Sequence, residues 1–137
     1  MIQTNTTAAT TDAERAAARL RIDTVICMGL YREIDEMAGA MGVEPNDLAA
    51  TLLERGMRLF DKVTRWDVDP SKLIARLAKK ASDYKDPSTL AWTITTNRRL
   101  VIRIRLRAKE EELATSQMAA CMLVYGIEDF QEDELPT

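Results

Sequence analysis

The sequence predicts an α+β fold that is mainly helical, with four or five helices and one basic two-stranded β-hairpin. Three observations carry this expectation. Helix-start signals recur ahead of amphipathic segments, the apolar spacing changes from a helical to a two-residue repeat after residue 91, and only 5% of the residues are aromatic while alanine and methionine are plentiful. A chain of 137 residues, 46% hydrophobic and 30% charged, has the size and composition of one globular domain. The expected organisation is a flexible tail over residues 1–11, a single compact domain over 12–127 and an acidic tail over 128–137.

Taken in order, Met1 to Thr10 is Thr-rich and uncharged, without the basic start and apolar stretch of a signal peptide. Thr11-Asp12-Ala13-Glu14 has capping-box spacing, so a helix is expected to start at Asp12. Two readings of residues 12–41 stay open. They form one long helix, or a helix, a strand and a helix, because Arg19-Leu20-Arg21-Ile22-Asp23 alternates like a strand before Ile26, Leu30, Ile34, Met37 and Met41 resume helical spacing.

Gly42 suits a left-handed helix end, and Pro45 the first position of a second helix whose buried side is Leu48, Leu52, Met57, Leu59 and Phe60. Asp69 as N-cap and Pro70 after it open a third helix, with Leu73, Ile74, Leu77, Ala81 and Tyr84 on one face and Lys72, Arg76, Lys79 and Lys80 on the others. After Asp86-Pro87-Ser88, Trp92, Ile94 and Thr96 alternate, then Leu100, Ile102, Ile104 and Leu106; with Asn97-Arg98 between them, this reads as a hairpin. A last helix is expected from Ala108 to Tyr125, its apolar second half in the core or at a subunit contact. No internal repeat stands out.

Charge is the strongest functional lead. The formal net charge of -3 conceals a +9 block over residues 70–109 and a -8 block over 110–137. In a strand over 99–107, Arg99, Arg103, Arg105 and Arg107 share one face, where planar guanidinium forks suit phosphate or guanine. Arg98, Lys72, Arg76, Lys79 and Lys80 extend that nucleic-acid footprint. The competing explanation pairs these cations with Glu110, Glu111, Glu112 and the acidic end, or assigns them to protecting a sheet edge. Glu110–Glu112 themselves fit the first turn of a helix, where the helix dipole favours acids.

Catalytic chemistry is scarce. Without histidine there is no imidazole base or histidine metal ligand, and the five glycines form no phosphate loop. Cys27 and Cys121 lie in apolar stretches, far from any zinc spacing. The expectation is therefore a non-enzyme with no metal, no cofactor and no membrane span. It is placed in the cytoplasm, where thiols stay reduced.

Residues 30–62, from Leu30-Tyr31-Arg32-Glu33-Ile34 through Gly42-Val43-Glu44-Pro45 to Leu48, Leu52 and Met57, resemble the two helices of ribbon-helix-helix DNA-binding proteins of the Arc/MetJ type. Ala38, Gly42 and Leu48 also have helix-turn-helix spacing. The first resemblance implies a strand before the helices, paired with a second chain into a ribbon whose outward side chains enter the major groove. Before the first helix, Arg19 and Arg21 suit such a strand but Asp23 opposes phosphate; Arg99–Arg107 also leads into a helix, with only the acidic tail behind it. The expected function is a small nucleic-acid-binding regulatory protein, acting on double-stranded DNA as a homodimer in transcription regulation. The alternative is a protein-binding adaptor or inhibitor from a phage or plasmid, docking an acidic protein surface.

Overall fold

The computed structural model describes residues 19–134 apart from 67, 85 and 87, with side chains as far as residue 132. The helix expected from Asp12 and the tail over 1–11 lie outside the described residues. Two nine-residue strands, β1 (Arg19–Cys27) and β2 (Thr89–Asn97), pair antiparallel as a ribbon. Each is followed by two helices: α1 (Met28–Met41) and α2 (Pro45–Thr64) after β1, α4 (Arg98–Glu110) and α5 (Thr115–Glu134) after β2. Helix α3 (Pro70–Ser82) joins the two units. The fold is α+β and mainly helical, with five helices and one two-stranded sheet among the described residues.

The two units repeat. Every element of the second begins 70 positions after its counterpart: Arg19 and Thr89, Met28 and Arg98, Pro45 and Thr115. The ribbon register obeys the same symmetry, with Asp23 opposite Thr93 at its centre and Arg21–Thr95 and Val25–Ala91 on either side. The turn between the helices repeats bond for bond. Val43 N–H donates to Ala38 O at 3.0 Å and Leu113 N–H to Ala108 O at 2.8 Å, around left-handed residues Gly42 (φ 72) and Glu112 (φ 58).

The repeat does not stand out in the sequence because the amino acids shared at this offset are chiefly packing residues: Leu30 and Leu100, Ile34 and Ile104, Ala38 and Ala108, Leu53 and Leu123, Gly56 and Gly126. Such spacings occur in many helical pairs.

Packing explains which residues are shared. The most extensive helix contact is α2 against α5, and a Cβ built on Gly56 would lie 2.9 Å from the Met122 carbonyl carbon, one on Gly126 2.8 Å from that of Leu52. Leu52 and Met122 are themselves symmetry partners. Leu52, Leu53, Met57 and Phe60 from α2 and Met118, Met122, Leu123 and Val124 from α5 are fully buried here, each such side chain contributing about 2 kcal/mol. Ile22, Ile26 and Ile94 close the core from the ribbon side. The apolar second half of the last helix, expected in the core or at a subunit contact, is thus covered within the chain.

Several expectations are corrected. Residues 19–27 are a strand, which settles the alternative left open for that part of residues 12–41. The sheet is not a hairpin: β2 ends at Asn97, and Arg98–Glu110 is helical. The alternation of Leu100, Ile102, Ile104 and Leu106 misleads because Leu100, Val101, Ile104 and Ala108 also form a helical face. In the helix all four are buried, leaving Ile102 and Leu106 exposed. Asn97 fixes the start, its side chain accepting from Leu100 N–H at 2.9 Å.

The helix expected over Ala108–Tyr125 breaks at Glu112, so Glu110 and Glu111 end α4 rather than open a helix. Their unfavourable place in the dipole is offset by Arg107, 3.3 and 3.6 Å from their carboxylates. Glu128–Glu134, expected as a tail, are the last turns of α5. The proline starts of α2 and α3 match expectation, with Asp69 accepting from Ser71 N–H at 2.9 Å.

Candidate nucleic-acid interface

A two-stranded ribbon has one face in the core and one free, and two edges of unpaired backbone groups. The two-residue period puts Ile22, Thr24 and Ile26 inward from β1, opposite the inward Ile94 and Thr96 of β2. The outward face carries Arg19, Arg21, Asp23 and Val25 from β1 and Thr89, Ala91, Thr93, Thr95 and Asn97 from β2. Two hydrogen bonds organise it: Thr93 Oγ1 donates to Asp23 Oδ1 at 2.8 Å, and Arg19 Nη2 donates to the Thr95 carbonyl at 3.0 Å.

Both edges are held by the second helix of the opposite unit. Thr95 N–H donates to Asn46 Oδ1 at 2.9 Å while Asn46 Nδ2 donates to Thr95 O at 3.0 Å; at the symmetric place Val25 N–H donates to Ser116 Oγ at 3.0 Å. These bonds hold the starts of α2 and α5 beside the ribbon and occupy edge groups that would otherwise invite another strand.

The arginines expected on one strand face are distributed around α4 instead. Arg98 and Arg99 lie exposed in its first turn, directly after Asn97, and have no ion-pair partner among the described residues. Arg105 Nη2 donates to the Arg21 carbonyl at 3.3 Å, setting a second guanidinium beside β1. Arg103 is paired with Asp61 of α2 at 2.6 Å. Arg107 is withdrawn furthest: its guanidinium lies 4.8 Å from the Phe60 ring centre and donates to Thr64 Oγ1 at 3.1 Å. The expected set therefore divides, with Arg98, Arg99 and Arg105 beside the ribbon and Arg103 and Arg107 clamping α4 to α2.

The α3 cations do not extend the same surface. Arg76 and Lys80 both bond to Glu128 of α5, at 2.9 and 2.8 Å, and Lys79 pairs with Asp83 at 3.1 Å; only Lys72 of the expected four makes no ion pair among the described residues. Burial by itself would raise the Glu128 pKa, but the hydrogen bonds from Arg76 and Lys80 outweigh it and hold the carboxyl below its ordinary value. The same bond raises Arg76.

Sequence reasoning missed Arg19 and Arg21 as site residues, although the alternation of Arg19-Leu20-Arg21-Ile22 carried the signal. Together with Arg98, Arg99 and Arg105 they make one end of the ribbon basic. The symmetry-related end is different, with Val25 58% exposed, Ala91 outward and Thr89 at its edge.

Among the described residues no group of His, Cys, Asp and Glu is placed to hold a metal ion, and no helix is long and apolar enough to cross a membrane. Cys121 is buried, its thiol pushed up to about 11. A groove of about 450 Å³ between α3, α5 and the end of β1 is lined by apolar groups including Cys27, Ile74 and Cys121. Comparison with protein-family models, with curated proteins and with solved structures returned no match.

Proposed function

We propose that this chain is a regulatory DNA-binding protein that lays the outward face of its two-stranded ribbon in the major groove of a duplex. The observation that carries the proposal is the doubled β-α-α unit: its antiparallel ribbon is backed by a helical core and exposes Arg19, Arg21, Thr93 and Asn97, with Thr95 half-buried among them. The major groove admits a two-stranded ribbon, and arginine and asparagine are the side chains that pair with guanine and adenine edges there. This is also what the ribbon-helix-helix resemblance implies, except that one chain supplies both strands. Arg98, Arg99 and Arg105 beside the ribbon would attract the phosphates.

The test is a duplex titration over a range of salt. If Arg98, Arg99 and Arg105 each neutralise one phosphate, affinity falls about fortyfold between 50 and 200 mM salt. The charge-reversed pair R19E/R21E should abolish binding while the fold persists. No binding at low salt, or binding that ignores salt, overturns the proposal.

A second reading is favoured by a separate observation. Asp23 stands at the centre of the outward face, and α1 exposes Asp35 and Glu36, all repelling phosphate. A protein-binding adaptor that docks through these charges would keep its partner in R19E/R21E. It would lose that partner in D35K/E36K.

A further inference from the structure

We propose that the duplex site is asymmetric, one half read by arginine and polar contacts and the other by apolar contacts; this rests on the DNA-binding reading above. A ribbon built from two identical chains presents identical ends, because its two-fold axis repeats every side chain. Here the axis through Asp23 and Thr93 relates different residues of one chain. The structure separates two kinds of position. Leu30 and Leu100, Ile34 and Ile104, Ala38 and Ala108, and Gly56 and Gly126 are identical pairs in the core, where packing on both sides of the axis imposes the same size.

None of the outward ribbon pairs is identical: Arg19 corresponds to Thr89, Arg21 to Ala91, Asp23 to Thr93, Val25 to Thr95 and Cys27 to Asn97. The differences are not scattered. One end combines Arg19, Arg21, Thr95 and Asn97, all able to hydrogen-bond, and the other exposes Val25, Ala91 and Thr89, with Cys27 half-buried against α3.

The flanking helices follow the same division. The first residues of α4 are Arg98 and Arg99, whereas their counterparts opening α1 are Met28 and Gly29. Further along, Arg103 and Arg105 correspond to Glu33 and Asp35, a reversal of charge at equivalent places. Helix α3 has no counterpart among the described residues and packs at the apolar end, where Cys27 Sγ donates to the Ala81 carbonyl at 3.2 Å. In the major groove, arginine forks select guanine and apolar side chains contact the thymine methyl. The basic end therefore takes a guanine-containing half-site with strong phosphate contacts, and the apolar end a thymine-containing half-site with few. The protein binds in one orientation.

Selection from a randomised duplex pool with the full chain tests this. A non-palindromic motif is expected, in which R21A lowers discrimination at positions of one half by about tenfold or more and leaves the other half unchanged. The exposed substitutions T89R, A91R and V25T, made together, copy the basic end onto the apolar one and should convert the motif to a palindrome of the guanine-containing half. A palindromic motif for the unaltered chain, or R21A relaxing both halves alike, overturns the asymmetry while DNA binding stands. Retention of duplexes without any motif also overturns it and leaves a non-specific binder. Failure to retain any duplex at low salt removes the DNA-binding reading itself.

Discussion

Gly56 and Gly126 sit at the same place in the two units, each bringing its helix so close to the other that a side chain on either would strike backbone, at Met122 and Leu52 respectively. The contact between α2 and α5 depends on this pair. Gly56→Ala or Gly126→Ala is expected to cost at least about 2 kcal/mol, since backbone cannot yield as a side-chain tip can. Gly39, exposed in α1 with open space around it, is the control. Gly39→Ala should leave stability equal or raise it by up to about 1 kcal/mol through helix propensity. Urea unfolding of the three variants distinguishes them.

The two helix turns make an opposite pair of predictions. Gly42 and Glu112 hold the same left-handed backbone, and only the first suits it without cost. Glu112→Gly should therefore stabilise the fold by about 1 kcal/mol, and Gly42→Ala destabilise it by a similar amount. Thermal melts that show no gain for the first variant would contradict this account of the turn.

Asn46 and Ser116 reach across the pseudo-two-fold axis to the ribbon edges, but unequally. Asn46 both accepts from Thr95 N–H and donates to Thr95 O, while Ser116 only accepts from Val25 N–H. Asn46→Ala is expected to cost about 1–2 kcal/mol and Ser116→Ala less than about 1 kcal/mol. Amide hydrogen exchange should quicken at Thr95 in the first variant and at Val25 in the second.

The Glu128 cluster gives a dependence on pH. The folded carboxyl titrates below its ordinary value of 4.5, so the stability it contributes is complete above that value and is lost as pH falls through the lower folded value. Arg76 and Lys80 are about half exposed (51% and 46%), so solvent screening leaves a contribution of about 1 kcal/mol. Glu128→Gln should be less stable than the unaltered chain by that amount from pH 5 to 8. Below pH 4.5 the difference should shrink, which denaturation at a series of pH values will reveal.

Local chemistry made much of the fold legible. Gly42, Pro45, Asp69 and Pro70 mark helix boundaries where they stand, because capping and proline geometry act over a few residues. The alternation at Arg19–Asp23 was a true strand signal. The similar alternation at Arg99–Arg107 was not, since apolar residues at every second place also supply the spacings of a helix face. Asn97 as a cap and β1 as the partner of β2 decided between them.

The sequence by itself determined a mainly helical α+β chain and its segregated charge. The tertiary structure decided that two β-α-α units pair within one chain, which no local pattern encodes, because the strand partners lie 62 to 78 positions apart. Packing also selected the exposed arginines. Arg103 and Arg107 are drawn to Asp61 and Phe60 of α2, while Arg19, Arg21, Arg98 and Arg99 stay exposed at the ribbon, without an ion pair among the described residues.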